Sequence, residues 1–257
     1  MITNFNFKDS LVDMKRKIKL FEPSVGKDEE YAIKHVLKSG VWASGAGGGK
    51  VIEFEKKFKK YVNSKNCIAV NSGTAALNLG LSIYNIKNKE VILPSLTFVS
   101  TANAVIMNGG KPIFVDVDPY TLNIDTEKIE NSVSEKTRVI LPVHFGGLSC
   151  NLDKIRSISK KYNLKIIEDA AEAHGAEYKG KKVGSIGDIG CFSFYANKIL
   201  TTGEGGMVTT DNKEIAEKIE LQRIHGIKGD SWQRYKKDND WFYEVVDIAC
   251  CKKEGIL

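Results

Sequence analysis

Proline and arginine are scarce in this chain of 257 residues, which has 5 Pro and, within 38 Lys plus Arg, Arg only at positions 16, 138, 156, 223 and 234. So little proline excludes a Pro-rich linker or a collagen-like repeat. Clustered arginine is the usual footprint of nucleic-acid binding, and no such stripe exists, so nucleic acid is not expected as a partner. The net charge of +6 rests on lysine interleaved with glutamate, which reads as a solvated surface. Long apolar runs are missing too. The best candidate, Val91 to Met107, is broken by Pro94, Asn103 and several hydroxyls, and it falls short of the roughly 20 apolar residues that span a bilayer. Met1 to Lys19 has no apolar stretch of the signal-peptide kind. The 5 cysteines, at 67, 150, 191, 250 and 251, form no CxxC and no pairing with His at metal spacing. No metal is therefore expected, and the odd, scattered count suits reduced thiols in the cytoplasm.

What is present is an ordinary globular composition, 42% hydrophobic and 27% charged. Asp28-Glu29-Glu30 opens a helix that Gly40 closes, Val41–Gly49 is a Gly-rich loop, and a second helix presents Val51, Phe54, Phe58 and Tyr61 on one face. Seven short apolar strands follow, at Cys67–Val70, Glu90–Leu93, Pro112–Val115, Arg138–Val143, Lys165–Ile167, Cys191–Phe194 and Met207–Thr210. Helices at 74–84, 97–107, 126–132, 152–162 and 213–224 alternate with them. This alternation predicts an α/β fold, a mainly parallel mixed seven-stranded sheet with helices on both faces. In such sheets ligands bind beyond the carboxyl ends of the strands.

Three segments carry chemistry. In Val70-Asn71-Ser72-Gly73-Thr74-Ala75-Ala76 a strand turns into a helix with small residues, which offers N–H groups to a phosphate or is simply a capped turn. Asp169, in Glu168-Asp169-Ala170-Ala171-Glu172-Ala173-His174, ends a buried strand. Its carboxylate can hold a protonated ring nitrogen or cap the following turn. In Ser193-Phe194-Tyr195-Ala196-Asn197-Lys198, a lone lysine sits in a nearly uncharged stretch before Gly203-Glu204-Gly205-Gly206. An amine among apolar groups can form an imine with an aldehyde, and the Ser193 hydroxyl can join a phosphate site. A phosphate cradle, a carboxylate for a ring nitrogen and an imine-forming lysine are together what pyridoxal 5'-phosphate requires.

At these residues the chain resembles the DegT/StrS-type nucleotide-sugar aminotransferases, fold type I enzymes that use pyridoxal phosphate. The resemblance is carried by Asn71–Leu77, Pro94–Ser100, Asp116-Val117-Asp118, Pro142-Val143-His144, Glu168–Ala171, Ser193–Lys198 and Thr201–Gly206, and runs from about Ile18 to Val246. It implies that Lys198 holds the cofactor aldehyde, Asp169 pairs with the ring nitrogen and Phe98 stacks on the ring. It also implies that Gly73, Thr74, Ala75 and Ser193 hold the phosphate. Glu172 stands near the cofactor hydroxyl, where the family often has Gln; a carboxylate donates there only when protonated. His174 has two readings, a cofactor contact or a satisfied turn residue. The implied reaction moves an amino group from glutamate to a nucleotide-linked keto-sugar, for cell-surface polysaccharide or glycan biosynthesis, in a homodimer with no membrane association. A lysine at 198 separates the chain from dehydrating relatives that carry His there.

The resemblance fades near Val246-Asp247-Ile248. We expect an N-terminal arm over 1–27, a cofactor-binding large domain over 28–246 and a divergent tail over 247–257 in place of the family's small C-terminal domain, as a frameshift or early stop would leave. The alternative to an active enzyme is then a truncated, non-catalytic remnant of one. A cysteine desulfurase is weaker, because no catalytic Cys loop is found.

Overall fold

The computed structural model describes residues 19, 21–42 and 49–227. Most of the N-terminal arm, Gly45–Gly48 of the glycine-rich loop, and the tail with Trp232, Cys250 and Cys251 lie outside the described residues.

Alternation within each strand organises the sheet. It contains β1 (Asn66–Val70), β2 (Glu90–Pro94), β3 (Lys111–Val115), β4 (Thr137–Ile140) and β5 (Lys165–Asp169). A small hairpin, β6 (Glu177–Tyr178) with β7 (Lys181–Lys182), comes next in the chain, and β8 (Ile189–Ser193) and β9 (Gly206–Thr210) complete the sheet. The order across the sheet is β1-β9-β8-β5-β4-β2-β3. The pairs β8/β5, β5/β4, β4/β2 and β2/β3 are parallel. β9 runs antiparallel to both neighbours, so it alone is reversed in the seven. The seven strands, and the mixed but mainly parallel sheet, are as expected.

Successive side chains on a strand point to opposite faces. Ile92, Ile140, Ile166 and Phe192 therefore enter one core, packed by α2 (Gly49–Val62) and α6 (Leu152–Tyr162) with Phe58, Ile155 and Ile158. Val91, Leu93, Val139, Ile167, Ile189 and Cys191 enter the other, with Leu77 and Leu81 of α3 (Gly73–Ser82), Val105 of α4 (Val99–Met107) and Ile219 of α7 (Lys213–Gln222). The remaining helices are α1 (Lys27–Ser39), which ends at Gly40 in the left-handed region (φ 69°), and the short α5 (Thr126–Ile129). Cys67, Cys150 and Cys191 are buried free thiols.

Two expectations needed correction. The strand expected over Arg138–Val143 stops at Ile140; past it, Val143 keeps only an isolated bridge to Asp169, because Pro142 lacks the N–H that a ladder needs. The β6–β7 hairpin was not expected, since two residues per strand leave no readable alternation.

Close packing at β8 leaves no room for a side chain at Gly190. A Cβ there would overlap the Gly184 carbonyl and the Thr209 hydroxyl, which hydrogen-bond each other. Overpacking against backbone cannot relax as it does against a flexible side chain. Gly190→Ala is expected to lower unfolding free energy by about 3 kcal/mol, read from denaturant midpoints at constant slope; a variant within about 0.5 kcal/mol of the parent would refute this packing.

Candidate active site

Five strands that run in one direction, β1, β2, β4, β5 and β8, deliver their carboxyl ends to one cleft of 330 Å³. That is room for a ring-sized ligand. Its lining includes Ser72, Gly73, Thr74, Thr97, Phe98, Asp169, Glu172, Ser193 and Lys198. The three segments singled out in the sequence thus converge in space. Ala75 and His174 do not line the cleft.

At the β1–α3 turn, Ser72 caps the helix: its Oγ accepts from the Ala75 N–H at 3.1 Å. The Ala75 N–H, expected to face a phosphate, is here engaged by the Ser72 cap. The first-turn N–H groups of Gly73 and Thr74 have no hydrogen-bond partner among the described residues. They lie at the positive end of the helix. A Cβ on Gly73 would come within 2.7 Å of Ser193 Cβ, so glycine is what lets this helix end abut β8 and its serine.

Asp169 closes β5 and is buried. Its Oδ1 accepts from the Ala171 N–H at 3.2 Å and its Oδ2 from the Thr101 hydroxyl at 2.9 Å. The turn-capping reading is thus realised with one oxygen, while the other faces α4. Burial pushes the carboxyl above its ordinary value, against the Ala171 and Thr101 bonds and the nearby positive charge.

Its neighbour Glu168 leaves the strand on the opposite face and is fully buried. Oε1 accepts from the Ile186 and Gly187 N–H groups at 2.8 and 2.6 Å. Oε2 accepts from the Gly184 N–H at 2.8 Å and faces His144 Nε2 at 2.9 Å. The Cys150 N–H donates to His144 Nδ1 at 3.1 Å, which puts the ring proton on Nε2, toward Glu168. Burial opposes ionisation of Glu168, but the His144 bond and the backbone N–H groups outweigh it and hold the carboxyl below its ordinary value.

Lys198 is positioned by the loop joining β8 to β9. The Tyr195–Gly203 bridge and the bonds from Thr202 N and Thr201 Oγ1 to the Phe194 carbonyl fold that loop back on itself. The Lys198 side chain is 19% exposed, and its Nζ lies 3.4 Å from Glu172 Oε1. Glu172 Oε2 also accepts from the Gly146 N–H at 3.0 Å. The amine is therefore not isolated among apolar groups, as the uncharged sequence around it suggested. Phe98, the N-cap residue of α4, is 74% exposed on the cleft wall.

Sequence reasoning gave no role to Thr101, Glu168 or His144. Thr101 lies four residues after Thr97, a helical spacing, but α4 begins only at Val99, so the pairing has no sequence signature.

His174 sits between the rings of Phe192 and Phe194, at 5.7 and 5.4 Å between centroids. Neither ring nitrogen has a well-formed hydrogen bond, so of the two readings the satisfied turn residue is not what the fold shows. Burial, helped by the Lys198 charge and opposed by a backbone contact at Ser193, pushes its pKa from 6.5 down to about 4. The folded state thus keeps this ring neutral where the unfolded chain protonates it. Stability from this residue is full above pH 6.5 and is lost as pH falls toward 4. Glu168 adds loss in the same direction at still lower pH, and Asp169, raised by burial, acts in the opposite sense. His174→Leu is expected to recover about 2 kcal/mol of the drop between pH 7 and 4.5. Denaturant midpoints at the two pH values measure it, and an unchanged drop would contradict the assignment.

No described helix is long and apolar enough to cross a membrane. Residues 23–249 match the DegT/DnrJ/EryC1/StrS aminotransferase family. The chain is 47% identical over 224 residues to the spore coat polysaccharide biosynthesis protein SpsC of Bacillus subtilis, covering 87% of this chain and 57% of SpsC. It is 44% identical over 218 residues to the GDP-perosamine synthase of Caulobacter vibrioides, covering 84% of this chain and 56% of the synthase. Its fold superposes on the aminotransferase from Psychrobacter cryohalolentis with a TM-score of 0.79 at 38% identity, over 88% of this chain and 58% of that one. The chain thus spans less than three fifths of the length of each of these proteins. Aminotransferases of that family use pyridoxal phosphate, and one solved neighbour is a putative sugar aminotransferase from Streptococcus pneumoniae in its PLP form. The chain belongs to the DegT/DnrJ/EryC1/StrS aminotransferase family.

Proposed function

We propose that this chain binds pyridoxal 5'-phosphate in the cleft and moves an amino group from glutamate to a nucleotide-linked keto-sugar, for polysaccharide or glycan biosynthesis. The observation that carries the reading is the convergence of Lys198, Asp169 and the open N–H groups of Gly73 and Thr74 on one 330 Å³ cleft. The residues fit the cofactor. The helix end at Gly73 offers unpaired donors to a phosphate. Asp169 is a buried carboxylate with no formal cation bonded to it among the described residues, which suits a ring nitrogen that arrives with a proton.

When bound, pyridoxal phosphate supplies an aldehyde that condenses with amines and a pyridinium ring that withdraws electrons. The chain's own residues do the rest. Gly73 and Thr74 N–H groups, with the Ser193 hydroxyl, hold the phosphate, and Ala75 supports that turn through the Ser72 cap. Phe98 covers the ring face. Asp169 keeps the ring nitrogen protonated. Lys198 holds the aldehyde carbon and, when displaced by an incoming amine, is the base that takes up and returns a proton. Glu172, paired with Lys198, accepts a hydrogen bond from the ring hydroxyl.

We assign residues 28–246 to the cofactor-binding domain, 1–27 to an arm and 247–257 to a tail. The buried thiols of Cys67, Cys150 and Cys191 suit a reducing cytoplasm. Phe98, Ile199 and Leu200, exposed near the cleft, suit a homodimer that covers this edge. The competing reading is cofactor binding without turnover.

One experiment separates these readings. The protein is loaded with pyridoxal phosphate, reduced with borohydride and mapped by mass spectrometry, and a parallel sample is treated with glutamate and then a panel of keto-sugar nucleotides. We expect a pyridoxyl adduct on Lys198, none in Lys198→Ala, and conversion to the amino form of the cofactor by glutamate. An adduct without conversion supports the non-catalytic reading, and an adduct on another lysine overturns the site.

A further inference from the structure

We propose that Thr101, backed by Thr97, is a positioning residue that locks the Asp169 carboxylate in the orientation that meets the ring nitrogen. The inference rests on the cofactor reading above and adds to it the part that aims the carboxylate.

Thr101 is wholly buried on α4, and its Oγ1 lies 2.9 Å from Asp169 Oδ2. An ionised carboxylate only accepts, so the single proton of the Thr101 hydroxyl points at Asp169. Thr97 Oγ1 lies 2.8 Å from Thr101 Oγ1. With Thr101's proton spent, Thr97 must be the donor there. The direction of the chain is therefore fixed: Thr97 to Thr101 to Asp169.

The second tether is the Ala171 N–H on Oδ1, at 3.2 Å. One donor on each oxygen, from α4 on one side and from the turn after β5 on the other, stops the carboxylate from rotating. Each oxygen keeps a lone pair that these donors do not use, and Asp169 lines the cleft. The hydroxyl chain begins at Thr97, the residue next to Phe98. It thus ties the residue on the ring face to the residue at the ring nitrogen. A purely structural role would satisfy a buried hydroxyl equally well, but would not favour one ring chemistry over another.

The test uses two ligands that cannot bond to Lys198. One is pyridoxine 5'-phosphate, which has the ring nitrogen but no aldehyde. The other is its benzene counterpart, with C–H in place of that nitrogen. Affinities for both are measured by calorimetry on the full chain and on Thr101→Val, Thr101→Ser and Asp169→Asn. We expect the unaltered protein to prefer the pyridine ligand and Thr101→Val to cut that preference about tenfold, with affinity for the benzene ligand unchanged. Thr101→Ser, which restores the hydroxyl, should keep the preference within about threefold of the parent. Equal weakening of both ligands in Thr101→Val, or an unchanged preference there, overturns the inference while leaving Asp169 in place. No preference in the unaltered protein, or none lost in Asp169→Asn, overturns the cofactor reading itself and the inference with it.

Discussion

The candidate site depends on two adjacent carboxylates at the end of β5 that must leave a pleated strand on opposite faces. Glu168 enters the core beneath α2 and α6, where burying a charge is costly unless every lone pair is answered. Three backbone N–H groups and His144 answer it. That network pins the segment 184–187 and the His144 turn to β5. The carbonyl of Asp169 accepts from His144 N, and its own N–H donates to the Pro142 carbonyl. The satisfied carboxylate thereby fixes the backbone on which the other one stands.

Asp169 is buried against the other face with only neutral donors, Thr101 and Ala171. A carboxylate held this way gains from any cation that enters, because the local dielectric is low and the desolvation cost is already met by the fold. The rest of the cleft is arranged around that end. Gly73 lets α3 abut Ser193, which turns two helix N–H groups outward, and the folded β8–β9 loop brings Lys198 to Glu172. Anion donors, an amine and an uncompensated carboxylate thus share one edge of the sheet, where the strands stop and water can enter.

Much of this was legible in the sequence because it rests on period and punctuation. Each strand of the seven-stranded sheet was readable from short apolar runs between turns, and Asn71–Ala76, Glu168–Glu172 and Ser193–Lys198 stood out as strand-to-loop junctions rich in chemistry. What could not be read came from contacts between distant segments. Thr101 meets Asp169 across 68 residues, and the Glu168 network spans His144 and Gly184–Gly187. Ser72 capping and phosphate binding compete for the same donors, and a sequence does not say that the cap takes the Ala75 N–H. His174 kept two readings because its ring contacts with Phe192 and Phe194 join it to a segment that sequence spacing does not place beside it.

The central claim is that the end of β5 holds a negative charge ready for a protonated ring nitrogen. It is tested most directly by nitrogen NMR of pyridoxal phosphate labelled at the ring nitrogen and bound to the protein and to Asp169→Asn. The account predicts a protonated ring nitrogen at neutral pH in the unaltered protein and an unprotonated one in the variant, with both proteins retaining the ligand. A ring nitrogen unprotonated in both, or protonated in both, would contradict it.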